Sequence, residues 1–366
     1  MSTTLTIRRP DDMHVHFRWD ERLPRVLGFT ARVFARALDM PNWRIHGHPW
    51  VDGDPEQWAP GVRAEDVLAH REVIQSLSPG FDPIGCLYIT EQTTPEMIRA
   101  FAAAGGKACK TFFRGVSTNS GWGVRDLLSK EHFALLATMQ ECGLINLGHF
   151  ERPESFWLEA ELDALPVLKK IAEAFPELRT VIEHISSIWA VEMVEALGPN
   201  VAATITPHHL LFDSDALLKG GLKPHHYCMP LLKTPEDRRA LVHAAVSGSP
   251  KFFAGTDSAP HIRMTKESAC GCAGVFCAPV AMPVYAKIFE DAGALDRLEA
   301  FTSVNGANFY GLPLNEGTIT LKREPWQVPE SYPSPEALDG IHAANDLVPF
   351  LAGQTLDWQV EGADFS

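Results

Sequence analysis

The chain has 366 residues, 45% of them hydrophobic, with 32 Lys plus Arg against 46 Asp plus Glu and a formal net charge of −14. That length buries a large core, and an acidic balance without a basic stripe excludes a binder that must neutralise a phosphate backbone. No apolar run reaches the about 18 residues of a membrane span, no charged-then-apolar leader opens the sequence, and seven cysteines, an odd number, argue against a disulfide framework. The expectation is a soluble cytoplasmic protein with no membrane or nucleic-acid partner.

Residues 4–18 read as a first strand running into His14-Val15-His16. A helix is expected over 22–37, and 36–42 reads as a short second strand stopped by Pro41. Residues 43–62, rich in Trp, His, Gly and Pro, are an irregular excursion; His46 and His48 inside it lack a preceding β-branched run and read as loop residues. A helix over 64–77 and a third strand over 81–90 follow.

A regular alternation then sets in. Thr94 caps a helix with Pro95 in its first turn, Gly105-Gly106 stops it, and 107–113 is the fourth strand. Ser129 opens a helix over 130–142, and 144–149 is the fifth strand. A helical region over 155–175 closes at Pro176, with the sixth strand over 178–184. A helix over 187–197 precedes the seventh strand, 201–206. Thr234-Pro235 starts a helix over 235–247, the eighth strand covers 251–257, and a helix over 279–292 follows. Beyond it, 317–322 reads as a peripheral strand, 325–335 as irregular, and 348–353 as packing back on the body.

Eight strands separated mostly by helices form the pattern of a (β/α)8 TIM barrel in the α/β class. A doubly wound sheet would bring a glycine-rich phosphate turn after an early strand, and none is present. The whole chain, 1–366, reads as one domain, with a barrel core over about 4–300 and an extension over 301–366 packed on it.

Metal-ligand residue types fall at the strand ends. His14 and His16 end strand one, where i and i+2 face one way. Lys110 lies in strand four, His149 ends strand five, His184 strand six and Asp257 strand eight. In a barrel those ends converge on one mouth, and crowding such groups there makes sense as nitrogen and oxygen donors to a divalent ion. Lys110 is the odd member, since an ammonium beside cations is electrostatically wrong. Either it points elsewhere, or its amine has taken up CO₂ to give an anionic carbamate. Cys270, Cys272 and Cys277 lack the fourth ligand and the spacing of a zinc site. His208, His209, His225 and His226 read as supporting or loop residues.

Together, Asp11-Asp12-Met13-His14-Val15-His16-Phe17-Arg18, Met40-Pro41-Asn42, Lys110, Ser117-Thr118-Asn119-Ser120, His149, Glu183-His184, Thr206-Pro207-His208-His209, Gly255-Thr256-Asp257-Ser258-Ala259-Pro260-His261 and Cys270-Gly271-Cys272-Ala273-Gly274 resemble the short, stand-alone dihydroorotases of bacteria, within the amidohydrolase superfamily. The likeness runs from about residue 5 to 358 and departs most at 43–62.

The resemblance implies a zinc-dependent cyclic amidohydrolase that interconverts N-carbamoyl-L-aspartate and (S)-dihydroorotate plus water, the third step of pyrimidine biosynthesis. It implies two divalent ions, with His14, His16 and Asp257 on the buried one, His149 and His184 on the exposed one, and carboxylated Lys110 bridging both. A hydroxide shared by the ions would attack the ring amide, with Asp257 as general acid and base. Arg18, Asn42 and His261 would bind the α-carboxylate of a small anionic substrate, helped by the backbone at Ala273, and Met229 would offer backbone hydrogen bonds. Segment 111–124, with Ser117 and Thr118 at its tip, would be a mobile lid, and the working form a homodimer. Two rival readings remain. A cyclic amidase of the dihydropyrimidinase or hydantoinase type would need no carboxylate clamp, and a barrel that had become a non-catalytic assembly partner would show a broken ligand set.

Overall fold

In the computed structural model, residues 4–43, 61–269, 271–334, 342–363 and 365 are described. His46, His48 and Cys270, and most of the 43–62 excursion, lie outside them. Eleven strands among these residues form two sheets. Strand β1 (Thr4–Arg8) belongs to the smaller one. The larger is wholly parallel and runs in sequence order through β2 (Asp11–Val15), β3 (Arg36–Asp39), β4 (Asp82–Ile89), β5 (Ala108–Phe112), β6 (Ile145–His149), β7 (Thr180–Ile182), β8 (Val201–Ile205) and β9 (Phe252–Ala254). Every residue of β2, β5, β6 and β8 is buried. That is the pattern of a parallel sheet covered on both faces.

The ring closes between β9 and β2. The Asp257 amide donates to the His14 carbonyl at 2.8 Å, and the His16 amide to the Ser258 carbonyl at 3.1 Å. Asp12 reinforces the seam, accepting from the Thr256 amide at 2.8 Å and from its hydroxyl at 2.6 Å. Burial pushes the Asp12 carboxyl up to about 7 against these bonds.

Helices fill most of the strand-to-strand connections: α1 (Leu23–Ala31), α2 (Ala64–Leu77), α3 (Pro95–Ala103), α4 (Lys130–Glu141), α5 (Ala160–Ala174) and α6 (Ile188–Ala196). The expected caps are made. Thr94 accepts from the Met97 amide, Ser129 from His132, and Thr234 forms a capping box with Asp237.

Three expectations change. Residues 4–18 are two strands, not one. Pro10 has no N–H for a ladder, so β1 leaves the barrel and pairs antiparallel with β10 (Thr318–Gln327), while β2 starts the barrel at Asp11. The irregular stretch begins later than expected, because β10 runs on to Gln327. Pro325 is accommodated where the register against β11 (Thr355–Val360) shifts between Arg323 and Trp326. Strand β11 itself has no counterpart in the sequence reading. Its Trp358 is wholly buried, shares a core cluster with Leu321 of β10 and Phe289, and donates its indole N–H to Glu290 at 3.0 Å.

Candidate active site

At the C-terminal mouth of the barrel, His14 sits inside β2 and His16 one residue past its end, with ring centres 5.3 Å apart. Both turn Nε2 toward Asp257 Oδ1, at 3.3 and 3.1 Å. The His184 ring lies 4.9 Å from His14 and 4.6 Å from His149. Lys110, in β5, is wholly buried, with Nζ 5.0 Å from the Phe112 ring centre. His14, His16 and Asp257 form a buried group able to hold a metal ion.

Backbone strain aims several of these groups. Arg18, His184 and Asp257 adopt φ of 68°, 43° and 46°. Left-handed backbone costs a non-glycine residue on the order of 1–3 kcal/mol. Here it turns side chains inward just beyond strands whose alternation has ended.

A layer of polar partners holds the imidazoles. Glu183 bonds His14 Nδ1 through Oε2 and accepts from the Thr204 hydroxyl at 3.0 Å; Thr204 in turn accepts the His184 amide at 2.6 Å. His149 Nε2 lies 2.8 Å from Glu151, whose other oxygen is 3.5 Å from Lys233 Nζ; Lys233 donates to Ser186 at 2.6 Å. Partners of this kind set the tautomer and orientation of metal-binding histidines. The sequence reading missed Glu151, Lys233 and Thr204 as supports. For Glu151 a signal was available, two residues past His149.

The protonation states of His16, His184 and Asp257 suit ligation. Burial pushes His16 down to about 4 and His184 well below the imidazole range, leaving both neutral. Burial works to raise Asp257, but hydrogen bonds from His14 and His16 and charge on His14 outweigh it and hold the carboxyl well below its usual range. Burial also lowers Lys110, against the pull of Glu183, Cys86 and Asp257. Neutral imidazoles and a carboxylate are the forms that bind metal. Among the described residues His184 Nδ1 and Lys110 Nζ are buried without a hydrogen-bond partner, as groups left for an ion or a modification would be.

The same pocket is lined by Arg18, Asn42, Ser117, Thr118, Met229 and Ala273. Arg18 is 4% exposed, and among the described residues no carboxylate lies within ion-pair distance of it. Its Nη2 is 3.2 Å from His261 Nε2, which also lies 3.0 Å from the Ala273 carbonyl. Asn42 donates to the Thr118 carbonyl at 3.0 Å, and the Thr118 hydroxyl to that of Ala273 at 3.3 Å, so segment 111–124 lies across the pocket.

Lys266 joins two walls of this pocket. Its buried ammonium donates to the carbonyls of Tyr227, Cys272 and Gly274 at 3.0, 2.7 and 2.8 Å, tying the approach to Met229 to the backbone flanking Ala273. Lys266→Met, which keeps the stem and removes the three donors, is expected to raise KM about tenfold or more with metal content unchanged. Steady-state kinetics beside metal analysis checks it.

His208, His209 and Cys228 form a second buried group. The His209 ring is already engaged, with Nδ1 2.8 Å from the Thr206 hydroxyl and Nε2 3.0 Å from the Pro230 carbonyl, and burial raises the Cys228 thiol. His209 and Cys228 thus both reach the Pro230 carbonyl, next to Met229.

A parallel barrel with this cluster at its mouth defines a metal-dependent hydrolase of the amidohydrolase kind. No family model matches the chain. It is, however, 44% identical to the dihydroorotase of Teredinibacter turnerae over 367 residues, covering 99% of this chain and 100% of that one. The dihydroorotase of Saccharomyces cerevisiae, solved with 5-fluoroorotic acid, superposes with a TM-score of 0.86 at 30% identity over 98% of each chain. The chain belongs to the dihydroorotase family. An L-hydantoinase from Arthrobacter aurescens, at 14% identity and a TM-score of 0.75 over 98% of this chain and 85% of its own, shares the fold.

Proposed function

We propose that the protein catalyses the reversible conversion of N-carbamoyl-L-aspartate into (S)-dihydroorotate and water, in pyrimidine biosynthesis. The observation that carries this reading is Arg18. It is a buried guanidinium with no carboxylate partner among the described residues, opening onto the pocket that holds His14, His16, His149, His184 and Asp257. A charge buried without a counter-ion is costly, and the planar fork of arginine matches a substrate carboxylate.

His14, His16 and Asp257 would hold one divalent ion, and His149 and His184 a second, with Lys110 bridging them as a carbamate; Zn²⁺ suits these nitrogen and oxygen donors. When bound, such a pair supplies an acidified water and polarises the amide carbonyl. The protein's own groups do the rest. Arg18, Asn42 and His261 grip the α-carboxylate, and the backbone at Met229 and Ala273 orients the ring. Asp257 receives a proton and returns it to the leaving ring nitrogen on hydrolysis; in ring closure it removes the ureido proton. Ser117 and Thr118, at the tip of the segment crossing the pocket, act as a lid that excludes water. The chain works as a single barrel domain with its extension docked, as a homodimer, in the cytoplasm.

The reading is tested by ring opening of (S)-dihydroorotate against dihydrouracil, which lacks the carboxylate, with and without Arg18→Gln. Turnover of dihydroorotate alone is expected, and a loss of about 100-fold in kcat/KM on substitution. Equal turnover of both rings would favour a hydantoinase-type activity instead.

A further inference from the structure

We propose that His70 and Asp39 are positioning residues for the carboxylate grip, fixing the backbone of Arg18 and thereby the affinity for a carboxylate-bearing ring. The inference rests on the functional reading above. His70, from α2, and Asp39, at the end of β3, are 2% and 4% exposed and do not line the pocket that holds His14, His16 and Asp257. His70 Nε2 is 2.9 Å from the Arg18 carbonyl, and Nδ1 is 2.9 Å from Asp39 Oδ2. A carbonyl only accepts, so Nε2 carries the hydrogen, and Nδ1 faces Asp39. The other Asp39 oxygen accepts from the Phe17 amide at 3.0 Å. The pair therefore grips the main chain on both sides of the peptide joining Phe17 to Arg18.

Arg18 needs that grip. Its φ of 68° is a conformation an arginine adopts only when its surroundings over-determine it. In an extended conformation its carbonyl and side chain would be redirected together. The His70 ring is in turn held by Trp19, stacked at 4.7 Å, and by Trp43, tilted at 4.9 Å, and the two indoles meet edge to face at 4.9 Å. Trp19 follows Arg18 in the chain and Trp43 follows Asn42, so one imidazole braces the neighbours of two grip residues. A buried polar pair is a poor way to fill space, because apolar residues of similar volume serve as well or better. Its use here is directional, in two hydrogen bonds that hold a strained turn.

The test separates the two ring nitrogens. A glutamine amide reaches about as far as Nε2 and an asparagine amide only as far as Nδ1. His70→Asn therefore keeps the Asp39 contact and drops the Arg18 one, whereas His70→Gln keeps a donor for Arg18. In the zinc-loaded full chain, His70→Phe and His70→Asn are expected to raise KM for (S)-dihydroorotate about tenfold. Expected alongside are kcat within about threefold, unchanged metal content and unchanged inhibition by the neutral carboxamide dihydroorotamide; His70→Gln should restore KM to within about threefold of the parent. If His70→Phe fails to fold, the Asn and Gln pair decides. An unchanged KM in His70→Asn, equal weakening of the neutral inhibitor, or a Gln variant as impaired as the Asn variant overturns the proposal. Absence of dihydroorotate turnover in the unsubstituted protein would instead fail the functional reading itself.

Discussion

Asp257→Asn is expected to keep its metal and to lose turnover about 1000-fold in both directions, within the range for removing a positioned general acid–base. Asparagine preserves one oxygen where the His14 and His16 nitrogens converge, at 3.3 and 3.1 Å, but it cannot accept and return a proton. It also tolerates the φ of 46° at this position, since Asn is among the residues enriched in the left-handed region. The fold should therefore survive, and the seam bond from residue 257's amide to the His14 carbonyl should remain. Metal content by mass spectrometry, with kcat for ring opening and ring closure on one preparation, checks it. Near-normal rates at full metal occupancy would remove Asp257 from its role as base.

The second large effect is expected at Lys110. Its Nζ is wholly buried without a hydrogen-bond partner among the described residues, and burial lowers its pKa. A buried unpaired ammonium is expensive; the neutral amine is the form that adds CO₂. Lys110→Ala is expected to reduce bound metal by about one ion per chain and turnover by about 1000-fold or more, the outcome the proposed two-ion site requires if its bridge is lost. A companion experiment keeps the lysine. Metal-stripped protein reloaded with zinc should regain activity with bicarbonate present and stay largely inactive in CO₂-free buffer. Equal recovery in both would rule out the carbamate.

Much of the site was legible in the sequence because a parallel barrel converts sequence position into spatial position. His14, His16, His149, His184 and Asp257 each lie at or just beyond the end of an apolar run, and such ends share one mouth. Arg18 was legible through its motif. The supports were not. Glu183 reaches His14 from β7's end to β2, Lys233 reaches Glu151 from a loop before the helix over Pro235–Val246, and His70 reaches Arg18 from α2. None of these pairs has a characteristic spacing. Likewise, Pro10 marked a break between β1 and β2 that the run of strand-forming residues concealed, and β11 paired with a strand whose own end had been read as irregular.

The sequence by itself thus determined the parallel alternation, the eight barrel strands and the chemical types at their ends, because periodicity, caps and glycine stops are local properties of the chain. The tertiary structure decided which groups meet. It placed Asp257 against two histidines, turned Arg18, His184 and Asp257 inward through left-handed backbone, and left Arg18 buried with no acid at ion-pair distance among the described residues. Strain, burial and hydrogen-bond satisfaction belong to neighbours in space, and only the closed barrel supplies those neighbours.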